Sequence, residues 1–434
     1  MKHRDVDRRT FLAAASGAGL APWLMSCEYL DTPQPKSAAN NGVQIIPPSE
    51  QITLGFIGLG IRGGSVMNRY FLRNPAVRVL GVCDVDRTRR EHFKGVVDKR
   101  YGSTDCIAYV DYRKLLERED IDAVVIATPD HWHATQCIHA AAAGKDIYCE
   151  KPLTHTLAEG KLLIDAVQRH GRVFQTGSQQ RTEFGHKFVR AVEYIRSGRL
   201  GDLLSVHVGV GNPPKPCDLG SEKMEPGLDW DRWLGPAPMR PYNSELSPRG
   251  IIKHYPRWRH FTEYAGGGLA DMGAHHFDIV QWALDADTSG PIEVLPPAVK
   301  TKMRGARLRY DSGLVVTHGG PGGATFIGTQ GMIQVDRNRI TSFPDKILKE
   351  ALAESDFHIP RPKDHGTDWL ECIKSRQPAT CTAEIGARSA AVCQLANLAY
   401  HHDTSFRWDP VAWKFADDTD PALLDYDRRA AYRV

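Results

Sequence analysis

Apolar residues in the first part of the chain fall into short continuous runs, and longer amphipathic segments separate them. Short apolar runs bounded by polar residues or glycine are typical of strands buried on both faces of a parallel sheet. We therefore predict strands at residues 52–57, 77–83, 123–127 and 146–149. The segments between them predict helices at residues 65–72, 112–118 and 133–143. This alternation indicates an α/β fold that begins with a doubly wound parallel sheet.

The pattern of apolar positions changes after residue 200. Residues 203–210 alternate between apolar and polar, which is typical of a half-buried strand. Three further strand-like runs are separated by glycine turns rather than by helices, at residues 313–317, 323–328 and 332–336. The sequence therefore predicts a second domain with an antiparallel sheet.

A glycine-rich turn follows the first predicted strand, where residues 58–63 read Gly-Leu-Gly-Ile-Arg-Gly. Gly58 allows a tight turn, Gly60 lets the backbone approach a pyrophosphate, and Gly63 lets the next helix pack closely on the strand. Free N–H groups at the start of that helix favour a phosphate. The turn and its context predict a dinucleotide site, to which we also assign Ile61 and Arg62.

The second predicted strand ends at Asp84, near the spacing of roughly 20 residues expected for an acid that binds the ribose. A carboxylate at this position favours NAD, because it repels the 2′-phosphate of NADP. Three nearby arginines, Arg87, Arg89 and Arg90, weaken that preference, so NADP stays an alternative.

Polar residues follow the later strands of the predicted sheet. Loops at the carboxyl ends of parallel strands carry the ligands in such folds. We therefore assign to the cofactor crevice Thr128, Pro129, Asp130, His133, Glu150 and Lys151. We also expect Gln179, which follows Gly177, to approach the nicotinamide.

Four motifs occur in order along the chain. They are the glycine turn, a Thr-Pro-Asp-x-x-His run at 128–133, a Glu-Lys-Pro run at 150–152 and an Asp-x-x-x-His-x-x-Asp run at 271–278. Together they resemble the Gfo/Idh/MocA oxidoreductases over roughly residues 50–410. The resemblance implies a Rossmann domain followed by an α/β domain with an open, mainly antiparallel sheet that often forms subunit contacts. It also implies a pyridine nucleotide, sugar or polyol substrates, and Lys151 as the catalytic lysine. Asp130 stands where many relatives carry Asn.

The run at 271–278 is predicted to lie on a helix. Residues three and four apart share one helix face, so Asp271, His275 and Asp278 are expected to line the same side. Oxidation of an alcohol requires a group that accepts the hydroxyl proton, and we assign this role to His275, with Asp271 orienting it or binding substrate. Lys151 would stabilise the developing alkoxide. No comparable metal-ligand spacing occurs, and we predict no metal site.

The segment 230–264 is rich in aromatic residues and in planar polar residues. We interpret it as a long loop that folds over the substrate pocket. The alternative for each aromatic residue is that it covers the sheet and fills the core. The residues expected to contact substrate are Arg181, Trp258, Arg259, Tyr264 and Asp278.

Near the start of the sequence, Arg8-Arg9 is followed by an apolar stretch, and this segment resembles a twin-arginine export signal. The apolar stretch is shorter than the roughly 20 residues of a membrane span. Cys27 lies at a candidate lipoprotein cleavage box, which would add a lipid anchor. We expect a periplasmic location, because the twin-arginine route carries folded cargo and so lets a nucleotide-binding protein keep its cofactor.

The chain has 434 residues, 41% of them hydrophobic and 25% charged, as in soluble globular proteins. A net charge of +3 gives no support for a nucleic-acid partner. The predicted divisions are a signal at 1–27, a linker at 28–50, a Rossmann domain at 51–152, a substrate and oligomerisation domain at 153–410 and a tail at 411–434.

These features predict an exported NAD(P)-dependent oxidoreductase that interconverts a secondary hydroxyl and a ketone on a sugar, glycoside or polyol. We expect a homo-oligomer, either a dimer or a tetramer. One alternative is a glycosidase in which transient ketone formation acidifies the neighbouring C–H and permits elimination. The other is a non-enzymatic protein that retains NAD.

Overall fold

The computed structural model describes residues 50–299 and 302–432. The predicted export signal, Cys27 and nearly all of the predicted linker lie outside these residues. Among the described residues, none of the helices has the length and apolar character that a membrane span requires. Nor do these residues hold a group of three or more His, Cys, Asp or Glu side chains placed to bind a metal.

A six-stranded parallel sheet forms the first half of the structure, in the order β3-β2-β1-β4-β5-β6. Its strands are β1 (Ile52–Ile57), β2 (Val77–Cys83), β3 (Ile107–Tyr109), β4 (Ala123–Ile126), β5 (Asp146–Cys149) and β6 (Phe174–Thr176). The helices that connect them are α1 (Ile61–Val66, extended by a π-helical turn at Met67–Phe71), α2 (Arg87–Tyr101), α3 (Tyr112–Leu116), α4 (Asp130–Ala142) and α5 (Leu157–Arg169). The strand order reverses between β1 and β4, which is where ligands bind in doubly wound sheets.

The predicted parallel sheet is confirmed, and its extent differs at one end. Strand β6 pairs with β5, although it lies beyond residue 152, where we placed the end of the first domain. This three-residue strand was too short for its apolar pattern to be recognised.

The second sheet is open and antiparallel, in the order β12-β11-β10-β9-β8-β13-β14, with β7 pairing to β10. Its strands are β7 (Leu203–Gly209), β8 (Glu293–Leu295), β9 (Arg307–Arg309), β10 (Val315–Gly328), β11 (Gly331–Val335), β12 (Ile340–Phe343), β13 (Phe406–Asp409) and β14 (Lys414–Phe415). The predicted strands at 313–317 and 323–328 are two parts of the single strand β10. The predicted antiparallel second sheet is therefore confirmed.

The remaining helices are α6 (Lys187–Arg196), α7 (Trp230–Leu234), α8 (Gly267–Ala283), α9 (Lys346–Lys349), α10 (His365–Ser375) and α11 (Ala383–His402). Helix α8 is almost entirely buried, because nearly all of its residues from Gly267 to Ala283 contact other parts of the protein. It packs against α11 and α6. This packing fixes the orientation of the side chains that α8 presents to the parallel sheet.

The C-terminal residues, predicted as a tail, pack on the first half of the protein. Arg428 forms a buried ion pair with Glu159 at 2.7 Å. The ring of Tyr432 lies edge-on to Trp132, with centroids 5.3 Å apart. Trp132 belongs to α4, so the chain end supports a helix that borders the cofactor crevice.

Candidate functional site

The glycine turn between β1 and α1 has the geometry that a dinucleotide requires. Gly58 adopts a φ of +86°, and a Cβ there would lie 2.7 Å from the backbone of Thr128. A Cβ at Gly63 would lie 2.0 Å from the carbonyl oxygen of Gly58, so α1 packs directly on the turn. A Cβ at Gly60 would meet no atom within 4 Å. The open space beside Gly60 is the cradle into which a pyrophosphate fits.

A cleft extends from this turn along the carboxyl ends of the strands, with about 900 Å³ of empty space that includes its opening to solvent. Its wall includes Ile61, Arg62 and Asp84 from the parallel sheet, and Thr128 and Pro129 from the start of α4. The opposite wall comes from residues 246–259, among them Trp258 and Arg259. The long loop that we predicted to fold over the substrate pocket therefore also lines this cleft.

Asp84 lies at the end of β2, with 9% of its surface exposed. Its two carboxylate oxygens accept hydrogen bonds from the backbone N–H groups of Leu59, at 2.7 Å, and Asp86, at 2.8 Å. Burial raises the pKa of Asp84, while Arg89 and these two N–H groups oppose the rise. The carboxylate thus faces the cleft in a fixed orientation, as a ribose-binding acid requires.

Of the arginines near Asp84, Arg89 is already engaged elsewhere. Its Nε donates to the carbonyl oxygen of Gly250 at 3.2 Å, and Nη2 donates to that of Pro248. Arg89 therefore ties α2 to the covering loop. Arg90 donates to the backbone carbonyl of Asp84 at 3.2 Å.

Glu150 and Gln179 lie behind the cleft rather than in its wall. Glu150 forms an ion pair with Arg62 at 2.9 Å and accepts a hydrogen bond from Gln179 at 3.0 Å. Gln179 also donates to the hydroxyl of Tyr148 at 2.7 Å. Burial by itself would raise the pKa of Glu150, but Arg62 outweighs it and the pKa is lowered. The two residues fix Arg62, which does line the cleft.

Lys151 and Asp271 connect the two halves of the structure. Nζ of Lys151 lies 2.7 Å from Oδ1 of Asp271 and 2.8 Å from its carbonyl oxygen. The side chains remain 13% and 33% exposed, respectively. Burial opposes ionisation of Asp271, yet Lys151 and Arg259 lower its pKa to about 2. Asp271 is therefore ionised at neutral pH, and the ion pair that it forms with Lys151 is partly open to solvent.

His275 lies one helical turn after Asp271 on α8, as predicted. It is buried, and its Nδ1 has no hydrogen-bond partner among the described residues. Burial lowers the pKa of His275 well below its usual range, and the nearby Arg337 and Lys151 lower it further. The imidazole is therefore neutral at physiological pH. The sequence did not predict the effect of Arg337 on His275. Arg337 lies in a turn after β11, and no recognisable motif surrounds it.

Two of the predicted substrate residues have a different role. Arg181 and Asp278 form a bidentate ion pair, with Nε–Oδ2 and Nη2–Oδ1 distances of 2.9 Å. Their side chains are 1% and 0% exposed. Ser389 donates to Asp278 at 2.8 Å, and Asp287 binds the remaining face of Arg181. Because no surface is left for a ligand, the expectation that Arg181 and Asp278 contact substrate is corrected.

Tyr264 and His133 are also structural. Tyr264 is fully buried in a hydrophobic cluster with Trp233, so it does not reach the pocket. The ring nitrogens of His133 lie 2.7 Å and 2.9 Å from the carbonyl oxygens of Pro152 and Thr128. His133 thereby ties the loop after β4 to the loop that carries Lys151, and its predicted contact with the cofactor is corrected.

Arg259 is the predicted substrate residue whose position fits best. It lines the cleft, stacks over Trp258 with 4.1 Å between its Cζ and the ring centroid, and approaches Asp271 to 3.9 Å. It therefore joins the nucleotide cleft to the Lys151–Asp271 pair. The cleft has the geometry of a dinucleotide site, and the Lys151–Asp271 pair lies at its edge.

Residues 52–178 match the NAD-binding Rossmann fold of an oxidoreductase family, and residues 215–434 match the C-terminal α/β domain of that family. The chain belongs to the Gfo/Idh/MocA oxidoreductases. This result confirms the resemblance found in the sequence motifs.

Curated relatives include two kinds of protein. An alpha-N-acetylgalactosaminidase of Shewanella oneidensis is 32% identical over 215 residues, which cover 46% of this chain and 45% of that protein. An uncharacterized oxidoreductase, YrbE, of Bacillus subtilis is 24% identical over 376 residues, covering 80% and 94%. The chain spans less than half the length of the glycosyl hydrolase family 109 relatives that it matches.

The fold also resembles that of solved structures. The WlbA dehydrogenase from Bordetella pertussis, in complex with NADH and UDP-GlcNAcA, superposes with a TM-score of 0.57 at 17% identity. The match covers 82% of this chain and 98% of that protein. At this identity the likeness extends to the fold.

Proposed function

We propose that this Gfo/Idh/MocA protein is an NAD(P)-dependent oxidoreductase that interconverts a secondary hydroxyl and a ketone on a sugar, glycoside or polyol. The observation that carries the proposal is the charged Lys151–Asp271 pair beside the neutral His275, next to a cleft shaped for a dinucleotide. Asp84 favours NAD over NADP at the ribose.

The residues of this chain divide the work of the reaction. A bound nicotinamide would supply hydride exchange with the carbinol carbon. Lys151, held by Asp271 at 2.7 Å, binds the hydroxyl and stabilises negative charge on its oxygen. His275 accepts the hydroxyl proton in the oxidation direction. Burial, Arg337 and Lys151 disfavour an imidazolium, so His275 is neutral before the proton is transferred to it.

The nucleotide is a resident cofactor in this proposal. The loop over residues 246–259 covers the cleft, and Arg89 holds it in place through carbonyl oxygens. A retained nucleotide is reoxidised either by a second substrate or within one catalytic cycle.

The test is to purify the protein, release and identify its nucleotide, and mix the intact protein with sugars, glycosides and polyols while following the absorbance of reduced nicotinamide. Reduction of the bound nucleotide together with a keto-sugar product supports the proposal. If the protein carries no nucleotide and binds neither NAD nor NADP, the proposal fails, and so does the alternative of a protein that merely retains NAD.

The second candidate is a glycosidase that uses the same redox step within its cycle. What favours it is that the matched curated relatives include proteins named as glycosidases, at about 30% identity. In this reaction the ketone acidifies the neighbouring C–H, the glycosidic bond breaks by elimination, water adds, and the hydride returns. Product analysis separates the candidates, since a hydrolysed glycoside with no net redox change indicates the glycosidase.

We also propose export to the periplasm by the twin-arginine route, with Cys27 as a candidate lipid anchor. The support is the Arg8-Arg9 pair followed by an apolar stretch. Replacement of both arginines by lysine is expected to leave the protein in the cytoplasm, as measured by cell fractionation. Unchanged location in the variant would contradict this route.

A further inference from the structure

Trp132 lies where three parts of the protein meet at the nucleotide cleft. Helix α4 contributes Trp132 and Gln136 to the cleft wall, whereas its first residue, Asp130, is buried and does not line the cleft. The ring of Trp132 lies edge-on to that of Tyr112, with centroids 5.6 Å apart, and Tyr112 also lines the cleft. The position of the Trp132 indole therefore shapes one end of the cleft.

This end of the cleft is the adenosine end of a dinucleotide site. Asp84 directly follows β2, and Tyr112 follows β3, the strand that pairs with β2. The acid after the second strand binds the ribose of the adenosine half, so the base lies beyond it, toward the residues that follow β3. Lys151 follows β5, on the other side of β1. Trp132 and Tyr112 therefore border the adenosine half of the nucleotide rather than the nicotinamide.

The opposite wall of the cleft rests directly on Trp132. Nε1 of Trp132 donates to the carbonyl oxygen of Trp233 at 3.0 Å. Gly235, which follows α7, packs so closely on the indole that a Cβ there would lie 2.1 Å from its ring. Helix α7 shares a hydrophobic cluster with Trp258 of the cleft wall, and we call residues 228–265, which build this cluster, the covering segment. Because of this shared core, a displacement of α7 displaces the wall.

Arg429 and Tyr432, which follow the last strand, hold α7 and Trp132 together. Nε of Arg429 donates to the carbonyl oxygen of Gly235 at 2.7 Å. Its Nη1 donates to the carboxylate of Asp231 at 2.6 Å, and Nη2 donates to the carbonyl oxygen of Asp231 at 3.1 Å. The ring of Tyr432 is buried and lies edge-on to Trp132, with centroids 5.3 Å apart. These contacts fix the start and the end of α7 as well as the indole beneath it.

The same stretch of chain, residues 425–432, is anchored on the parallel-sheet half of the protein. Arg428 forms an ion pair with Glu159 at 2.7 Å, and the two side chains are 6% and 0% exposed. Thr156 donates from its hydroxyl to the carboxylate of Asp425 at 2.9 Å. Thr156 and Glu159 lie at the start of α5. We call residues 425–432 the C-terminal strap, because they are fixed to α5 and hold α7.

We propose that Arg429 is a positioning residue for the nucleotide, which holds α7, and with it the covering segment and Trp132, against the adenosine half. The inference rests on the proposed nucleotide and not on the identity of the sugar. Arg429 does not line the cleft, so it acts through the residues that do. A wall that is fixed before binding need not be ordered when the nucleotide binds, and loss of this fixation weakens binding.

Arg429→Met tests the inference because it removes the hydrogen bonds to Asp231 and Gly235 and keeps most of the length of the side chain. The intact protein is loaded with NADH, and dissociation is followed by NADH fluorescence after mixing with excess NAD⁺. We expect dissociation from the variant to be about tenfold faster. Competition with ADP-ribose, which has the adenosine half without the nicotinamide, is expected to show a loss of affinity of about the same factor.

A positioning role predicts that the chemical step is spared. Nucleotide reduction in a single turnover, measured at saturating nucleotide, is expected to stay within roughly twofold of the wild type. Arg429→Lys keeps the charge beside Asp231 but cannot make all of the contacts, so we expect dissociation about threefold faster than in the wild type. Tyr432→Ala removes the ring that lies against Trp132, and a similar increase of roughly threefold is expected.

The matched control is Arg376→Met. Arg376 binds the carboxylate of Asp146 through two hydrogen bonds, at 2.5 Å and 3.0 Å. Asp146 is the first residue of β5, so this contact lies at the edge of the sheet opposite to the cleft. The control is expected to leave the dissociation of NADH unchanged.

The outcomes separate this inference from the proposed function. Faster dissociation in Arg429→Met and Tyr432→Ala but not in Arg376→Met supports the inference. Unchanged dissociation in both strap variants, or an equal increase in the control, would overturn it and leave the proposed function standing. If Arg429→Met does not fold, Arg429→Lys and Tyr432→Ala decide the question in the same assay. If the wild type binds neither NADH nor ADP-ribose, the proposed function and this inference fail together.

Discussion

Helix α8 carries two carboxylates that each lie against a cation, and the two pairs differ in what is left open. Asp278 and its partner Arg181 are 0% and 1% exposed and have all their polar atoms engaged. Asp271 lies two helical turns before Asp278 and is 33% exposed, and its partner Lys151, from the loop after β5, is 13% exposed. The first pair is saturated and holds the helix in place, whereas the second has surface left for a hydroxyl group. Both pairs are charged, so what distinguishes the reactive pair from the structural one is its exposed surface, which leaves polar atoms free to bind a ligand.

The largest effect is expected from Asp278→Asn. This change leaves Arg181 buried with a weakened partner, and breaking a buried pair costs about 3–5 kcal/mol in the free energy of unfolding. Denaturant melts would measure it, with Asp271→Asn as the matched control on the same helix. A control variant destabilised as much as Asp278→Asn would break the distinction between the pairs.

Lys151→Met is expected to leave the protein folded and to abolish most of its hydride-transfer activity. Loss of the group that stabilises the developing oxyanion is expected to slow nucleotide reduction by about 10²–10³-fold. Stopped-flow measurement of a single turnover gives this rate, and release of the nucleotide shows that binding persists. Lys161→Met, on the exposed face of α5, serves as the control.

His275→Gln should lower the rate by about 10²-fold, because it removes the proton acceptor but retains a hydrogen-bonding side chain. In the wild type, the pKa of His275 is lowered well below the ordinary histidine value of 6.5. The rate of nucleotide reduction is therefore not expected to fall until the pH is well below 6.5. A decline centred near that value would show that His275 is not the buried neutral group described above.

The smallest effect is expected at the far end of the cleft. Asp84→Asn keeps the hydrogen bonds to the backbone in part and removes the charge that repels a 2′-phosphate. The preference for NAD over NADP should fall roughly tenfold or less. Equilibrium titration with both nucleotides measures the ratio, and an unchanged ratio would assign the preference to other residues.

The parallel sheet and the glycine turn were predictable because each depends on local sequence. The run from Ile52 to Gly63 predicts a strand and a glycine turn, and the structure has both. The helix predicted at 65–72 begins earlier, at Ile61. The pairing of Lys151 with Asp271 was a different matter, since the residues lie far apart in the chain. The family resemblance brought them to one site, and the structure supplied the contact.

The errors have a common physical origin. Helical spacing predicts that Asp271, His275 and Asp278 share a face, but a face two turns long passes from the cleft into the core. Asp278 was therefore assigned to substrate, although its burial makes it structural. Arg181 was assigned to substrate because it follows Gly177, and its burial likewise makes it structural. Arg337 was missed because its effect on His275 acts through space rather than through a motif.

The most direct test of the account is to follow the hydride itself. A substrate that carries deuterium on the reacting carbinol carbon is mixed with the nucleotide-loaded protein in a single turnover, and the released nucleotide is weighed by mass spectrometry. The account predicts deuterium in the nicotinamide for the wild type and almost none for Lys151→Met in the same time. Conversion of substrate with no deuterium in the nucleotide, or equal transfer by the variant, would contradict it.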